Sequence, residues 1–167
     1  MVHSNIMRIA YSLGSLLSVN QVIECSEILS KTNVESIWVP ETWGMENFSM
    51  LGAVANKTST QKIGSSIINI YSRSPSTIAM GASTIDILSN GRLVLGLGTS
   101  SEPIVEDFHG EKFENPVERM KEYVEIIRLA LTKKQINYSG KIFNLKNFTL
   151  LIEPKRQSIP IYLAAIN

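Results

Sequence analysis

Three polar segments follow apolar runs and hold most of the side chains able to do chemistry. Glu41, Thr42 and Trp43 follow ESIWVP at 35–40; Ser66, Ile67, Ile68 and Asn69 close the β-branched stretch KIGSSIINI at 62–70; Thr99, Ser100 and Glu102 follow RLVLGLG at 92–98. Together they supply carboxylates, hydroxyls, an amide and a tryptophan. That inventory suits the holding of a flat organic cofactor, where the protein contributes binding, orientation and hydrogen bonds. It does not suit nucleophilic catalysis: His3 lies near the N-terminus and His109 in a loop, with no Ser–His–Asp arrangement in view. No His, Cys and Asp cluster has the spacing of a zinc site. Cys25 is the one cysteine, so no internal disulfide forms; with Val22 and Leu29 at same-face spacing it reads as a small buried apolar side chain.

Composition narrows the function classes. The 16 basic and 15 acidic residues nearly cancel, which gives no electrostatic footprint for nucleic acid or an anionic membrane surface. No apolar run reaches the length of a membrane span, and residues 1–6 lack the plan of a secretion signal. The expectation is a cytoplasmic protein, with residues 1–6 a loose tail, Met7 a second candidate start, and residues 7–167 one domain.

The segments that must position these groups alternate strand with helix. Residues 7–11 form the first strand candidate. Ser18-Val19-Asn20-Gln21 has the spacing of a capping box and opens a helix to about Lys31. Residues 35–40 form the second strand, and 48–57 the second helix, with Leu51, Val54 and Ala55 at helical spacing. The third strand covers 62–70. Ser74-Pro75 starts a helix with serine as N-cap and proline at the first position; it carries Ile78, Ala82, Ile85 and Leu88 inward and stops at Asn90-Gly91. Residues 92–97 form the fourth strand. Asn115 and Glu118 cap a helix whose apolar stripe is Met120, Val124, Ile127 and Leu131. Residues 136–138 and 141–143, joined by Ser139-Gly140, read as a β-hairpin inserted before the fifth strand at 159–165.

This rhythm implies right-handed β-α-β crossovers and a parallel sheet. An open nucleotide-binding sheet wants its glycine fingerprint at the first strand–helix turn, and Ser12-Leu13-Gly14-Ser15-Leu16 does not match it. The pair Gly96 and Gly98 at the fourth strand lacks the third glycine of that motif. The remaining architecture is a TIM-type parallel β/α barrel cut off after its fifth strand. Its active site belongs at the strand C-terminal ends, where the three polar segments fall.

IGSSIINIYSRSP at 63–75, followed by ILSNGR and LVLGLGT, resembles the bacterial luciferase-like superfamily. Within it the chain is most similar to oxidoreductases that use coenzyme F420, a deazaflavin, including methylenetetrahydromethanopterin reductase. WVPETWGMENF at 38–48, VEDFHGEKFENPVERMKEYVEIIRLAL at 105–131 and IPIYLAA at 159–165 extend the likeness along the chain.

The resemblance implies particular roles. The third strand would end in a bulge with a cis peptide at Ser66–Ile67 that backs the cofactor ring, with Ile68 and Asn69 beside it. Glu41 would lie near the ring and the hydride acceptor; its plainer reading is a carboxylate that caps the next helix or pairs with a lysine. Thr42 stands where several relatives carry a proton-transferring histidine, a departure that removes that chemistry. Trp43 would wall the substrate pocket, and Thr99, Ser100 and Glu102 would touch the cofactor. His109 is expected only to hold its loop by a hydrogen bond.

The implied activity is hydride transfer to or from a small organic substrate. Alternatives are an FMN-dependent monooxygenase and a non-catalytic half-barrel that only associates. Relatives continue with three further units that anchor the cofactor tail. The chain is therefore expected to be the N-terminal half of an enzyme, or a half-barrel completed by a homo-oligomer or a partner chain.

Overall fold

The computed structural model describes residues 8–132 and 134–165; the expected tail and Met7 lie outside them. Five parallel strand positions follow the order of the chain. β1 (Ala10–Ser12) pairs with β2 (Ser36–Val39), and β2 with β3 (Lys62–Ser65). The third position continues after a bulge as β4 (Ile68–Asn69), so both pieces pair with β5 (Leu93–Gly98), which pairs in turn with β8 (Ile161–Leu163). Among the described residues β1 and β8 are each paired on one side only. Helices α1 (Val19–Ser30), α2 (Asn47–Lys57) and α3 (Pro75–Leu88) link the first four positions; α4 (Pro116–Leu131) follows β5. No helix among the described residues is long and apolar enough to cross a membrane.

Alternation along the strands gives the sheet two different faces. Ile37, Val39, Ile63, Leu93, Leu95 and Leu97 form one core with Leu51, Val54, Ile78 and Ala82 of the helices. The other face carries Trp38 in register with Gly64, and Gly96 in register with Tyr162, while Gly64 itself lies opposite Val94 of β5. The Trp38 ring lies so close over Gly64 that a Cβ there would sit 2.5 Å from it. That ring stacks on Tyr162 at 5.8 Å and donates its Nε1–H to Ser36 Oγ at 3.0 Å.

Local signals explain most boundaries. Ser18 and Gln21 form the reciprocal capping box of α1. Ser74 accepts the Thr77 N–H with Pro75 at the first position of α3, and Asn90 and Gly91 both turn left-handed to end it. Other expectations shift. Helix α2 starts at Asn47 because the Glu46 carboxylate caps it, accepting from Phe48 and Ser49. Cys25 is half-buried against the core edge rather than enclosed.

Leu88 is exposed, because the last turn of α3 buries Asp86 instead. That carboxylate takes the Arg156 backbone N–H at 2.9 Å and its guanidinium, pinning the segment before β8. Asn115 is left-handed and makes no side-chain cap; the Glu106 carboxylate steadies the loop instead by accepting the Phe113 N–H. Helix α4 buries Tyr123, Ile126, Ile127, Ala130 and Leu131, with Met120 and Val124 left on an open flank. Its rotation follows Glu122, which is buried and accepts the N–H groups of Lys141, Ile142 and Phe143. The hairpin is therefore β6 (Ile136–Ser139) with β7 (Asn144–Phe148), its turn lengthened to wrap that carboxylate.

Candidate functional site

The third strand position ends in a bulge. The Ser66–Ile67 peptide is cis, as the resemblance implied, and the Ser66 N–H donates to the Val39 carbonyl at 2.9 Å. The bulge interrupts the ladder opposite Gly96, and Ser65 repairs it. Its buried hydroxyl donates to the Gly96 carbonyl and accepts the Gly96 N–H, both at 2.8 Å. Gly96 must be glycine here, because a Cβ would collide with the Ser65 carbonyl oxygen. Beyond the bulge the Ile67 side chain lies over Gly98. Together with Thr99, Ser100, Met120, Val124 and Leu163 it lines a cavity of about 1080 Å³. Ile68 and Asn69 are buried beneath; Asn69 Oδ1 accepts the Tyr71 N–H at 2.9 Å, and its Nδ2 is a buried donor with no partner among the described residues.

A second cavity, of about 240 Å³, opens past the end of β2. Its floor is an ion-pair cluster. Arg73 grips both oxygens of Glu41, at 2.5 and 2.8 Å, and also pairs with Glu46. Glu41 Oε1 additionally accepts the Asn47 N–H at 3.0 Å, at the start of α2. The hydrogen bonds that Arg73 donates to Glu41 push its guanidinium further above its ordinary pKa. Burial alone would raise the Glu46 carboxyl, but the Ser49 and Phe48 donors and the charge of Arg73 outweigh it, so it lies below the usual range. The walls are Trp43, 68% exposed, and Phe108, 58% exposed, with Thr42 and His109 between them. Phe108 ends a π-helical turn (Ile104–Phe108), and the His109 N–H donates to the Ile104 carbonyl at 3.2 Å.

Across residues 6–167 the sequence matches the family described as Luciferase-like monooxygenase. The chain belongs to that family. A curated relative, the 5,10-methylenetetrahydromethanopterin reductase of Archaeoglobus fulgidus, is 39% identical over 129 residues, 77% of this chain and 38% of the relative. The coenzyme F420-dependent tetrahydromethanopterin reductase of Methanopyrus kandleri superposes with a TM-score of 0.86 at 22% identity, covering 95% of this chain and 50% of that one. The oxygenating constituent of the 3,6-diketocamphane monooxygenase of Pseudomonas putida, solved with FMN, gives 0.81 at 15% identity, covering 95% and 51%. These two likenesses are of fold. The chain spans about two fifths of that curated reductase and about half of the two solved chains.

Within this luciferase-like framework the expected residues separate into two groups. Ile67, Thr99 and Ser100 meet at the larger cavity; Glu41, Thr42 and Trp43 meet at the smaller. Ser66 is exposed at the rim between the β2 and β5 ends, and Glu102 is exposed and lines neither cavity. The Glu41 carboxylate does what its plainer reading held, but with an arginine: it meets the α2 N-terminus and Arg73. Sequence reasoning missed Arg73, Ser65, Phe108 and the position of His109. Arg73 had a visible signal, a lone cation between strand end and helix cap in YSRSP. The side chain of His109 holds no hydrogen bond in its loop; its ring meets Phe108 at 4.9 Å and faces the cavity.

Proposed function

We propose that this protein is a coenzyme F420-dependent oxidoreductase that acts in the cytoplasm, moving a hydride to or from a small organic substrate. The observation that supports it best is the meeting of Ile67, Thr99 and Ser100, from two neighbouring strand ends, at one cavity of ligand size. The 39% identity to a methylenetetrahydromethanopterin reductase points the same way.

The residues fit a deazaflavin. Ile67, Met120 and Val124 give an apolar wall for a flat ring, and the Thr99 and Ser100 hydroxyls give donors for its polar edge. When bound, that group supplies hydride acceptance and donation. The chain's own residues bind and orient. Ile67 backs the ring, Ser66 and Ile68 fix the bulge that presents it, and Glu41 acts through Arg73 to hold the β2 loop. Thr42 and Trp43 border the substrate. A second copy, or a chain with three further β/α units, completes the barrel and holds the cofactor tail.

Quenching of F420 fluorescence on adding the purified chain tests the reading, followed by oxidation of reduced F420 with 5,10-methylenetetrahydromethanopterin. Micromolar binding of F420 in preference to FMN is expected. Preference for FMN would favour the monooxygenase reading, which the FMN-bound structural neighbour supports. Failure to bind either would leave the association module.

A further inference from the structure

The smaller cavity contains three polar side-chain groups with no hydrogen-bond partner among the described residues: the Thr42 hydroxyl, the Trp43 indole N–H and the His109 imidazole. Every other polar group on its floor is engaged. Glu41 takes both forks of Arg73 and the Asn47 N–H; Glu46 takes Arg73 and two amides of α2; Ser72 holds Arg73 and the Asn69 carbonyl. A ligand between the exposed rings of Trp43 and Phe108 therefore meets, besides a hydroxyl and an indole N–H, one unengaged ring whose nitrogens can both donate and accept a proton, His109. The position is built: the π-helical turn closes on the His109 N–H and carries the ring onto the cavity wall. The same π-helical turn borders both cavities, with Ile104 lining the larger and Phe108, next to His109, lining the smaller.

The geometry points to His109 as the proton-transfer residue of this site, a catalytic residue acting on substrate bound between Trp43 and Phe108. The inference rests on the oxidoreductase reading above. In the reducing direction a bound deazaflavin would supply a hydride, with both electrons, to the carbon of a substrate C=O or C=N, or to the methylene carbon of an N–CH2–N bridge. The π bond, or one C–N bond of the bridge, breaks, and the protonated His109 ring passes its N–H proton to the oxygen or nitrogen, giving an alcohol or amine. The imidazole recovers a proton from solvent, matching the N–H proton that a deazaflavin would lose on oxidation. The charged groups facing it across the cavity are Glu41, Glu46 and Arg73, with Asp107 and Glu111 flanking it in its own loop. The Glu41 and Glu46 carboxylates are both paired with Arg73.

The test compares the full chain with H109Q. F420 affinity within twofold in both establishes that the variant folds. With reduced F420 and 5,10-methylenetetrahydromethanopterin, H109Q is expected to lose about 100-fold or more in kcat with little change in KM. Added imidazole should restore part of that rate to H109Q. Equal kcat in the two proteins would overturn the assignment and leave the cofactor reading standing. A wild type that binds no F420 would overturn that reading, and the assignment with it. If the wild type binds F420 without turnover, NMR decides: the imidazole resonance lost in H109Q should shift when F420 saturates the protein, and an unmoved signal would overturn the assignment.

Discussion

The Ser65→Ala substitution tests how the bulge is held. Gly96 sits in the middle of β5, with its neighbours Leu95 and Leu97 bonded to the β8 side. Its own N–H and C=O point toward the interrupted third strand, where the Ser65 hydroxyl meets both at 2.8 Å. Alanine removes that oxygen and leaves one buried N–H and one buried C=O unpaired. Each such group costs about 1–3 kcal/mol, so the expected loss is about 2–6 kcal/mol. That is a large fraction of the ~5–15 kcal/mol that holds a domain together. Ser66→Ala is the control, because that hydroxyl is exposed and makes no hydrogen bond; it should stay within ~0.5 kcal/mol of wild type. Urea unfolding midpoints measure both. F420 affinity should fall in S65A, since Ile67 depends on the bulge for its position. If S65A unfolds with the midpoint of wild type, the hydroxyl is not the substitute for the missing ladder and the reasoning fails.

Three further outcomes are expected. Replacing Arg73 by Met leaves Glu41 and Glu46 facing each other without a cation and should cost about 3 kcal/mol or more, read by urea denaturation; Arg73→Lys, which keeps the charge and loses the fork, should cost less. Burial pulls the Glu122 carboxyl up, but the hairpin N–H donors hold it below its ordinary value. Its stabilisation is then complete above the unfolded carboxyl pKa and is lost as pH falls through the folded one, so hydrogen exchange in β6–β7 should quicken on acidification, and Glu122→Gln should remove that pH dependence. The one-sided edges of β1 and β8 offer unpaired backbone groups to another strand, so light scattering should find an assembly larger than one chain, and a stable monomer at micromolar concentration would refute this.

Most of the fold was legible because its signals are local. Ser18 with Gln21, Ser74 with Pro75, and Asn90 with Gly91 each act through their own backbone neighbours, so spacing alone reveals them. The misplacements share a different cause. Leu88 and Asn115 were misjudged, and the α4 stripe is fully buried only at Ile127 and Leu131 with Met120 and Val124 packed partly on the core, because Asp86, Glu106 and Glu122 are committed to backbone groups 70, 7 and about 20 residues away. Periodicity treats such carboxylates as surface residues. The site behaved likewise: Ile67, Thr99 and Ser100 could be named from likeness, but Ser65 could not, since its task exists only once β5 lies beside the bulge.

The inner face of the sheet decides where a ligand can go. A barrel interior is filled by side-chain layers and is not a pore. Here part of such a layer is in place: Trp38 covers Gly64, and Tyr162, still exposed on its other side, stacks on it from β8. Gly64 makes room for the Trp38 ring. On the proposed reading a planar cofactor would lie above these rings, across the C-terminal ends of the strands. Gly64→Ala should raise that floor by pushing the Trp38 ring off the sheet, because a Cβ 2.5 Å from the ring cannot be accommodated in place. Tryptophan fluorescence would report the displacement, with Trp43→Phe used to isolate the Trp38 signal. F420 affinity should weaken in parallel, because the tilted ring would intrude on the mouth. An unchanged Trp38 spectrum with weakened cofactor binding would show that the layer is not the floor of the site.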